Sequence, residues 1–384
     1  LSHTQIGTAI SVAGLISTFG FLASIYLTDR ISKKIMIPMA LLGICLCGIW
    51  LSTFPSYGVF LLIYCLLAIC ADMLYWPTML KTVRLLGNEE EQGRMFGIME
   101  AGRGLVDTIV AFGALSIFAA MGSNAAGLRM AILFYAAVPG VIGIIAYFLL
   151  DPDKKPAANQ EGRQVSANQA AWEGVLSALK NKNIWLVSMN IFMVYAVYCG
   201  LTYFIPFLEE VYALPAALVG AYGIINQYGL KMVGGPIGGF MSDKVHKSSA
   251  KHIRMGFIVC IVAMALFLMI PHEALGASGN WIIGAACTLG FGAIVFTMRA
   301  VFFAPMDEVK VPAEITGAAM SLASLVIYLP NSFAYLMYGN FLDRFPGMTG
   351  YRIVFGVMIG WAVIGVFVST FLISRIKKHQ QAGK

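Results

Sequence analysis

The stretches TDRISKK at 28–34 and MSDKVHK at 241–247 decide the fold. Each sets an acid beside a base, Asp29 with Arg30 and Asp243 with Lys244, where an apolar run ends and a short basic loop begins. They stand 214 residues apart (243 minus 29), so one arrangement occurs twice in the chain. Outward from them, apolar runs recur near 7–28, 35–54, 58–80, 95–120 and 128–150, then near 184–208, 216–240, 254–271, 281–304, 314–338 and 353–374. About 20 apolar residues cross a hydrocarbon core of about 30 Å as a helix, so these are eleven candidate transmembrane helices. A barrel strand would alternate apolar and polar residues, which these runs do not, and helices are the other way to satisfy a backbone in lipid.

The composition agrees, since 59% hydrophobic against 12% charged residues leaves too little polar surface for a soluble domain. In the second half a whole run, 184–208, precedes the one that ends at Asp243. The same shift of 214 residues puts its counterpart ahead of Leu1. The expectation is therefore an all-α membrane protein with eleven helices present of twelve, the first lying upstream, in two pseudo-symmetric six-helix halves. Residues 1–150 form the first half, 151–183 a polar linker that opens on DPDKKPAANQEGRQVSANQ, and 184–384 the second half. Within the linker, Trp172, Val175 and Leu179 fit either a short amphipathic surface helix or plain connecting chain.

A net charge of +7 raises a nucleic-acid partner, but the cations fall on alternate loops and form no patch. Arg30, Lys33 and Lys34 follow the first run, Lys81, Arg84 and Arg94 the third, and Lys154, Lys155, Arg163, Lys180 and Lys182 occupy the linker. Lys244, Lys247, Lys251 and Arg254 follow the seventh, and Arg375, Lys377 and Lys378 close the chain, while the opposite loops hold little beyond Arg129, Arg344 and Arg352. The positive-inside rule makes the basic loops and the C-terminus cytoplasmic, and no nucleic-acid partner is expected. Seven cysteines lie within the runs without CxxC or Cys/His spacing, and read as small core residues. No Walker A, HExxH or GxSxG motif is present, so no enzyme chemistry, metal or cofactor is expected.

Two six-helix halves joined by a cytoplasmic linker, each with a D-[RK] loop after its second helix, resemble the major facilitator superfamily over the whole chain. The second copy, Gly239-Phe-Met-Ser-Asp243-Lys244, keeps the glycine and acid of that family's loop signature; the first has Ile25 and Ser32 where glycines stand. VYAVYCGLTYFIPFL at 194–208, LVGAYGIINQYGLKMVGGPIGG at 218–239 and TLGFGAIVFTMRAVFFAP at 288–305 resemble the YihN-type inner-membrane transporters of enteric bacteria, a branch without an established cargo. The resemblance implies a monomeric secondary transporter working by alternating access, with Asp29, Arg30, Asp243 and Lys244 as gating residues.

Charge inside the membrane costs several kcal/mol unless it is paired or lines a wet path, so the intramembrane charges are the site candidates. Glu100, Arg103 and Asp107 stand at i, i+3 and i+7, on one face of a helix; they read as a site lining or as a fixed ion-pair network. Asp72 precedes Tyr75, Trp76 and Pro77; aligning Pro77 with Pro305 puts Arg299 within about a residue of its repeat equivalent. Lys231 lies four residues after Gln227 and five after Asn226. Tyr195 and Tyr198, at i and i+3, offer hydroxyls, as do Tyr203, Tyr222 and Tyr228; Tyr328, Asn331 and Tyr335 form a lesser stripe around Pro330, expected to break or bend its helix.

Intramembrane cations suit a carboxylate, sulfonate or phosphate, so the expected cargo is a small organic anion such as a sugar acid, sulfonate or organophosphate. The acids then serve as counter-charges in the empty state or carry a coupling proton, a counter-anion being the other coupling species. Two alternatives stand beside this reading: efflux of lipophilic compounds, and a non-transporting sensor on a transporter fold.

Overall fold

The computed structural model describes residues 1–84, 92–151, 179–269, 280–311 and 316–382. Most of the linker thus lies outside the described residues, with Trp172 and Val175. The first-half helices are α1 (His3–Arg30), α2 (Lys33–Leu51), α3 (Tyr57–Ala68), α4 (Trp76–Arg84), α5 (Gln92–Ala120) and α6 (Ala125–Leu149). Next come α7 (Lys182–Cys199), α8 (Phe204–Glu210), α9 (Ala216–Ile224), α10 (Leu230–Phe240), α11 (Ser249–Met269), α12 (Asn280–Ala300), α13 (Pro305–Glu308), α14 (Thr316–Arg344) and α15 (Met348–Ala382). Eight helical stretches among the described residues are long and apolar enough to cross a membrane.

Polar residues start the helices where the apolar runs begin. Ser32 accepts from Lys34 N at the head of α2, Asn124 from Gly127 N before α6, and Asn181 from Asn183 N before α7, each satisfying an amide the helix leaves without an internal partner. Large apolar side chains then face outward, Phe148 and Leu149 at 77% exposure and Phe371 at 65%, as a lipid-solvated surface requires.

Several expected spans are not uniform α-helix. A π-helical stretch, Ile69–Tyr75, joins α3 to α4; another, Ile225–Gly229, joins α9 to α10; and a third, Met241–His246, extends beyond α10. The run 281–304 stops as an α-helix at Ala300 and passes through i→i+3 turns, Val301 N to the Met298 carbonyl and Ala304 N to the Val301 carbonyl, into the short α13, which Pro305 opens where its missing amide hydrogen is not needed. Pro330, expected to break or bend its helix, sits inside an α14 that is helical from Thr316 to Arg344.

By packing, the chain divides into two compact units: Leu1–Lys154 with Ala216–Met232 and Tyr335–Asn340, and Lys155–Pro215 with Val233–Ala334 and Phe341–Lys384. In the first unit small residues bring backbones together. A Cβ on Gly48 would stand 2.6 Å from that of Ala136, and one on Gly140 2.7 Å from Cys45 Sγ, locking α2 to α6. Gly7 and Gly339 lie directly on the backbone carbonyls of Tyr335 and His3, and the Leu336 amide donates to Ser11 Oγ at 3.0 Å; these contacts place part of α14 in this unit. Gly220 lies against Leu115 in the same way, placing α9 there.

The second unit is built on α7, whose residues from Ile184 to Cys199 are mostly buried. Edge-on and tilted rings fill its core: Phe207 lies 4.8 Å from Phe355 and 5.0 Å from Tyr351, and Phe204 lies 5.6 Å from Phe291. Gly234 and Gly238 bring α10 onto the backbone of α12 at Phe296 and Thr297.

Candidate functional site

In the second unit, three helices each contribute an i, i+3 pair to one cluster: Tyr195 and Tyr198 from α7, Phe296 and Arg299 from α12, and Tyr328 and Asn331 from α14. The Arg299 guanidinium stands 4.1 Å from the centre of the Tyr198 ring, 5.6 Å from that of Tyr195 and 5.9 Å from that of Phe296, and is hydrogen-bonded to Tyr198. Tyr195 meets Tyr328 edge-on at 5.3 Å and accepts at its hydroxyl from Asn331 Nδ2 at 3.4 Å, while Cys199 Sγ lies 3.4 Å from Asn331 Oδ1. Aromatic faces thus hold the cation, and among the described residues no carboxylate pairs with it. Arg299 is half-buried. Sequence reasoning found Arg299, Tyr195 and Tyr198 and ranked Tyr328 and Asn331 below them; Tyr335, from the same stripe, packs in the other unit against Gly7.

In the first unit, Asp72 lies in the middle of the π-helical stretch before Trp76. Its Oδ2 is 2.5 Å from Ser17 Oγ, which is also 2.9 Å from the carbonyl of Ala13. Ser17 is its sole hydrogen-bonding partner among the described residues. Nothing about charge or spacing singled out Ser17; a small hydroxyl at membrane depth was the available signal.

A second group in this unit surrounds the start of α4. The Arg103 guanidinium lies over the Trp76 ring, 4.4 Å from its centre, and Tyr75 is within electrostatic reach of both Arg103 and Asp107. Asp107 also reaches Tyr135, as does Tyr228. Asn226, fully buried, and Gln227 occupy the π-helical stretch Ile225–Gly229, with half-buried Lys231 just beyond it on α10. Two of the three π-helical stretches therefore carry predicted substrate or coupling residues, and the third carries a predicted gating pair, a frequent association that no periodicity argument exposes. Glu100 is on α5, and its side chain lies outside the described residues.

The third π-helical stretch carries Asp243 and Lys244, both exposed, and ends on Lys247 in a left-handed conformation with φ 53°. The anchor of this loop is a residue that sequence reasoning missed. Glu308, at the end of α13, accepts from Ser248 Oγ at 2.6 Å and from the amides of Ser249 at 2.5 Å and Ala250 at 3.3 Å, a carboxylate on the N-terminus of α11. His246 and His252 bring ring nitrogens to 3.2 Å alongside. Asp29 and Arg30 end α1, with side chains outside the described residues.

Residues 1–335 match the Major Facilitator Superfamily model. Across 99% of the chain and 89% of the relative, the sequence is 47% identical to inner membrane protein YihN of Escherichia coli (strain K12). It is 27% identical to inner membrane protein YqcE of the same strain, over 97% and 86% of the two chains. Among solved structures it resembles a bacterial homologue of the human lysosomal transporter Spinster, inward-facing and occupied, with a TM-score of 0.71 at 14% identity over 98% and 90% of the chains. The D-xylose–proton symporter matches with a TM-score of 0.72 at 14% identity over 96% and 87%, and at such identities both likenesses concern the fold.

Proposed function

The chain belongs to the major facilitator superfamily of transporters, and from that premise we propose that it moves a small organic anion across a bacterial inner membrane with a coupled proton. The observation that carries this reading is Arg299, a permanent cation held by π-faces without a carboxylate partner among the described residues. Ring quadrupoles hold a guanidinium in place yet leave its N–H fork available, and the fork matches a carboxylate, sulfonate or phosphate. Tyr195, Tyr328 and Asn331 add the hydroxyl and amide groups that would orient an anion's neutral oxygens.

The coupling proton is assigned to Asp72. Ser17 has one hydroxyl hydrogen and faces two acceptors, Asp72 Oδ2 and the Ala13 carbonyl. If Ser17 gives its hydrogen to Ala13, a protonated Asp72 completes the chain by donating to Ser17. Arg103, Asp107 and Lys231, with Asn226, Gln227 and Glu100, are assigned to the same pathway, and Asp29, Arg30, Asp243 and Lys244 to gating in the alternating-access cycle of residues 1–150 against 184–384. The C-terminus and the basic loops are assigned to the cytoplasm.

Uptake into proteoliposomes tests the cargo. With sugar acids, sulfonates and organophosphates supplied on one side, at least one class should accumulate under an inward proton gradient. Neutral sugars transported at equal rates, or unchanged anion uptake in Arg299→Gln, would overturn the assignment.

A further inference from the structure

The second unit carries a basic groove far in sequence from the Arg299 cluster, where the start of α7 meets the end of α15. Lys182, Arg375 and Lys378 line a cavity of about 410 Å³, with Ser374 and Asn183 between them. The same cavity continues onto Leu186 and Phe371, and Phe371 is 65% exposed on the outward, apolar side. None of the three cations has an acidic or hydrogen-bonding partner among the described residues, and all three are exposed. The amides at the start of α7 add positive potential, Asn183 N being occupied by the Asn181 side chain. Trp185, one turn in, donates its indole N–H to the Leu179 carbonyl at 2.8 Å, and amphipathic rings of this kind are enriched where headgroups meet acyl chains.

Positive charge at the end of a transmembrane helix commonly reaches into interfacial water one residue at a time. Here, however, cations from two helices converge on one concavity with an apolar flank, which is the shape of a phosphodiester joined to an acyl chain. We propose that this groove between α7 and α15 binds the headgroup of an anionic phospholipid. The phosphate would sit among Lys182, Arg375 and Lys378, accepting from Ser374 Oγ when that hydroxyl turns from its Thr370 carbonyl. The first methylenes would run over Phe371 and Leu186. A free phosphate would use the cations and leave the apolar flank idle, so the whole lining favours the lipid.

Native mass spectrometry of the full chain, exchanged from nanodiscs of 1:1 phosphatidylglycerol and phosphatidylcholine, reads the site directly. Wild-type protein should retain phosphatidylglycerol in preference to phosphatidylcholine. Each cation near a membrane surface contributes about a fivefold preference, so Lys182→Gln with Arg375→Gln and Lys378→Gln should bring retention to the phosphatidylcholine level. Lys377→Gln, off the groove on the same helix, should leave it unchanged. In delipidated protein, phosphatidylglycerol should raise the melting temperature and 10 mM inorganic phosphate should not. Equal retention in the triple variant, equal loss in Lys377→Gln, or an equal melting shift from inorganic phosphate would each overturn the proposal.

Discussion

Asp72 in the first unit and Arg299 in the second, paired in the sequence by the alignment of Pro77 with Pro305, have surroundings that handle charge in opposite ways. Asp72 sits in a π-helical stretch with a single hydroxyl for company, and Arg299 ends an α-helix inside a box of rings. A carboxylate can become neutral by taking up a proton, so it needs little support at membrane depth. A guanidinium stays charged in proteins, so its stabilisation has to be built in, and aromatic faces do this without cancelling the charge for a ligand. On the assignment proposed above, the first unit holds a charge that can switch and the second a charge that persists, as coupling one proton to one anion requires.

The comparison breaks most severely if the persistent charge is removed. Losing one member of a desolvated charge pair costs about 2–5 kcal/mol, so Arg299→Gln should lower anion uptake, as kcat/KM, by roughly 30-fold or more. Arg299→Lys keeps the charge but not the fork and should recover only a minor part. A Lys variant as active as wild type would reduce the guanidinium to a point charge.

Removing the switch should do something different in kind. Asp72→Asn should still exchange labelled for unlabelled anion, because exchange needs no net proton movement, but should lose uphill accumulation. With one proton per anion, a gradient of one pH unit supports about tenfold accumulation, which should fall to about unity in Asp72→Asn. The sign is set by protonation: wild-type uptake should decline as the outside pH rises, and the variant's should stay flat. A variant that still concentrates its cargo would move the coupling site to Asp107 or Glu100.

Between these extremes lies the cage. Tyr198→Phe keeps the ring over Arg299 and loses a hydrogen bond worth about 0.5–1.5 kcal/mol, predicting a KM raised roughly threefold to tenfold. Tyr198→Leu also loses the cation–π contact, about 0.5–2 kcal/mol, and should be worse by a similar factor. Equal values for the two variants would show that only the hydroxyl matters.

The helices and their polar starts were legible in the sequence because hydropathy and capping residues are local properties. The cage was half legible: Tyr195 and Tyr198 declare themselves by spacing, but Phe296 reads as ordinary lipid-facing or core apolar sequence until α7, α12 and α14 are packed. The π-helical stretches were invisible, since one extra residue per turn leaves hydropathy unchanged. Arg103 illustrates the limit of reading one helix at a time: its spacing puts Glu100 and Asp107 on its own helical face, but does not disclose that its guanidinium also lies over Trp76 of α4.

The smallest effects concern the basic loop between α10 and α11. Asp243 and Lys244 carry the repeat's signature but are exposed, whereas Glu308 holds Ser248, Ser249 and Ala250. A capping carboxylate is worth about 0.5–2 kcal/mol, so Glu308→Ala should lower the melting temperature in detergent by about 2–4 °C, with Glu308→Gln in between because it keeps an acceptor but not the charge. Exposed substitutions stay within about 0.5 kcal/mol, so Asp243→Asn should shift melting by about 1 °C or less. If Asp243→Asn nonetheless slows uptake while Glu308→Ala does not, stability and gating in this loop belong to different acids; if both leave uptake intact, Asp243 and Lys244 lose their gating role. The reverse order of melting shifts would return the anchor to the signature residues.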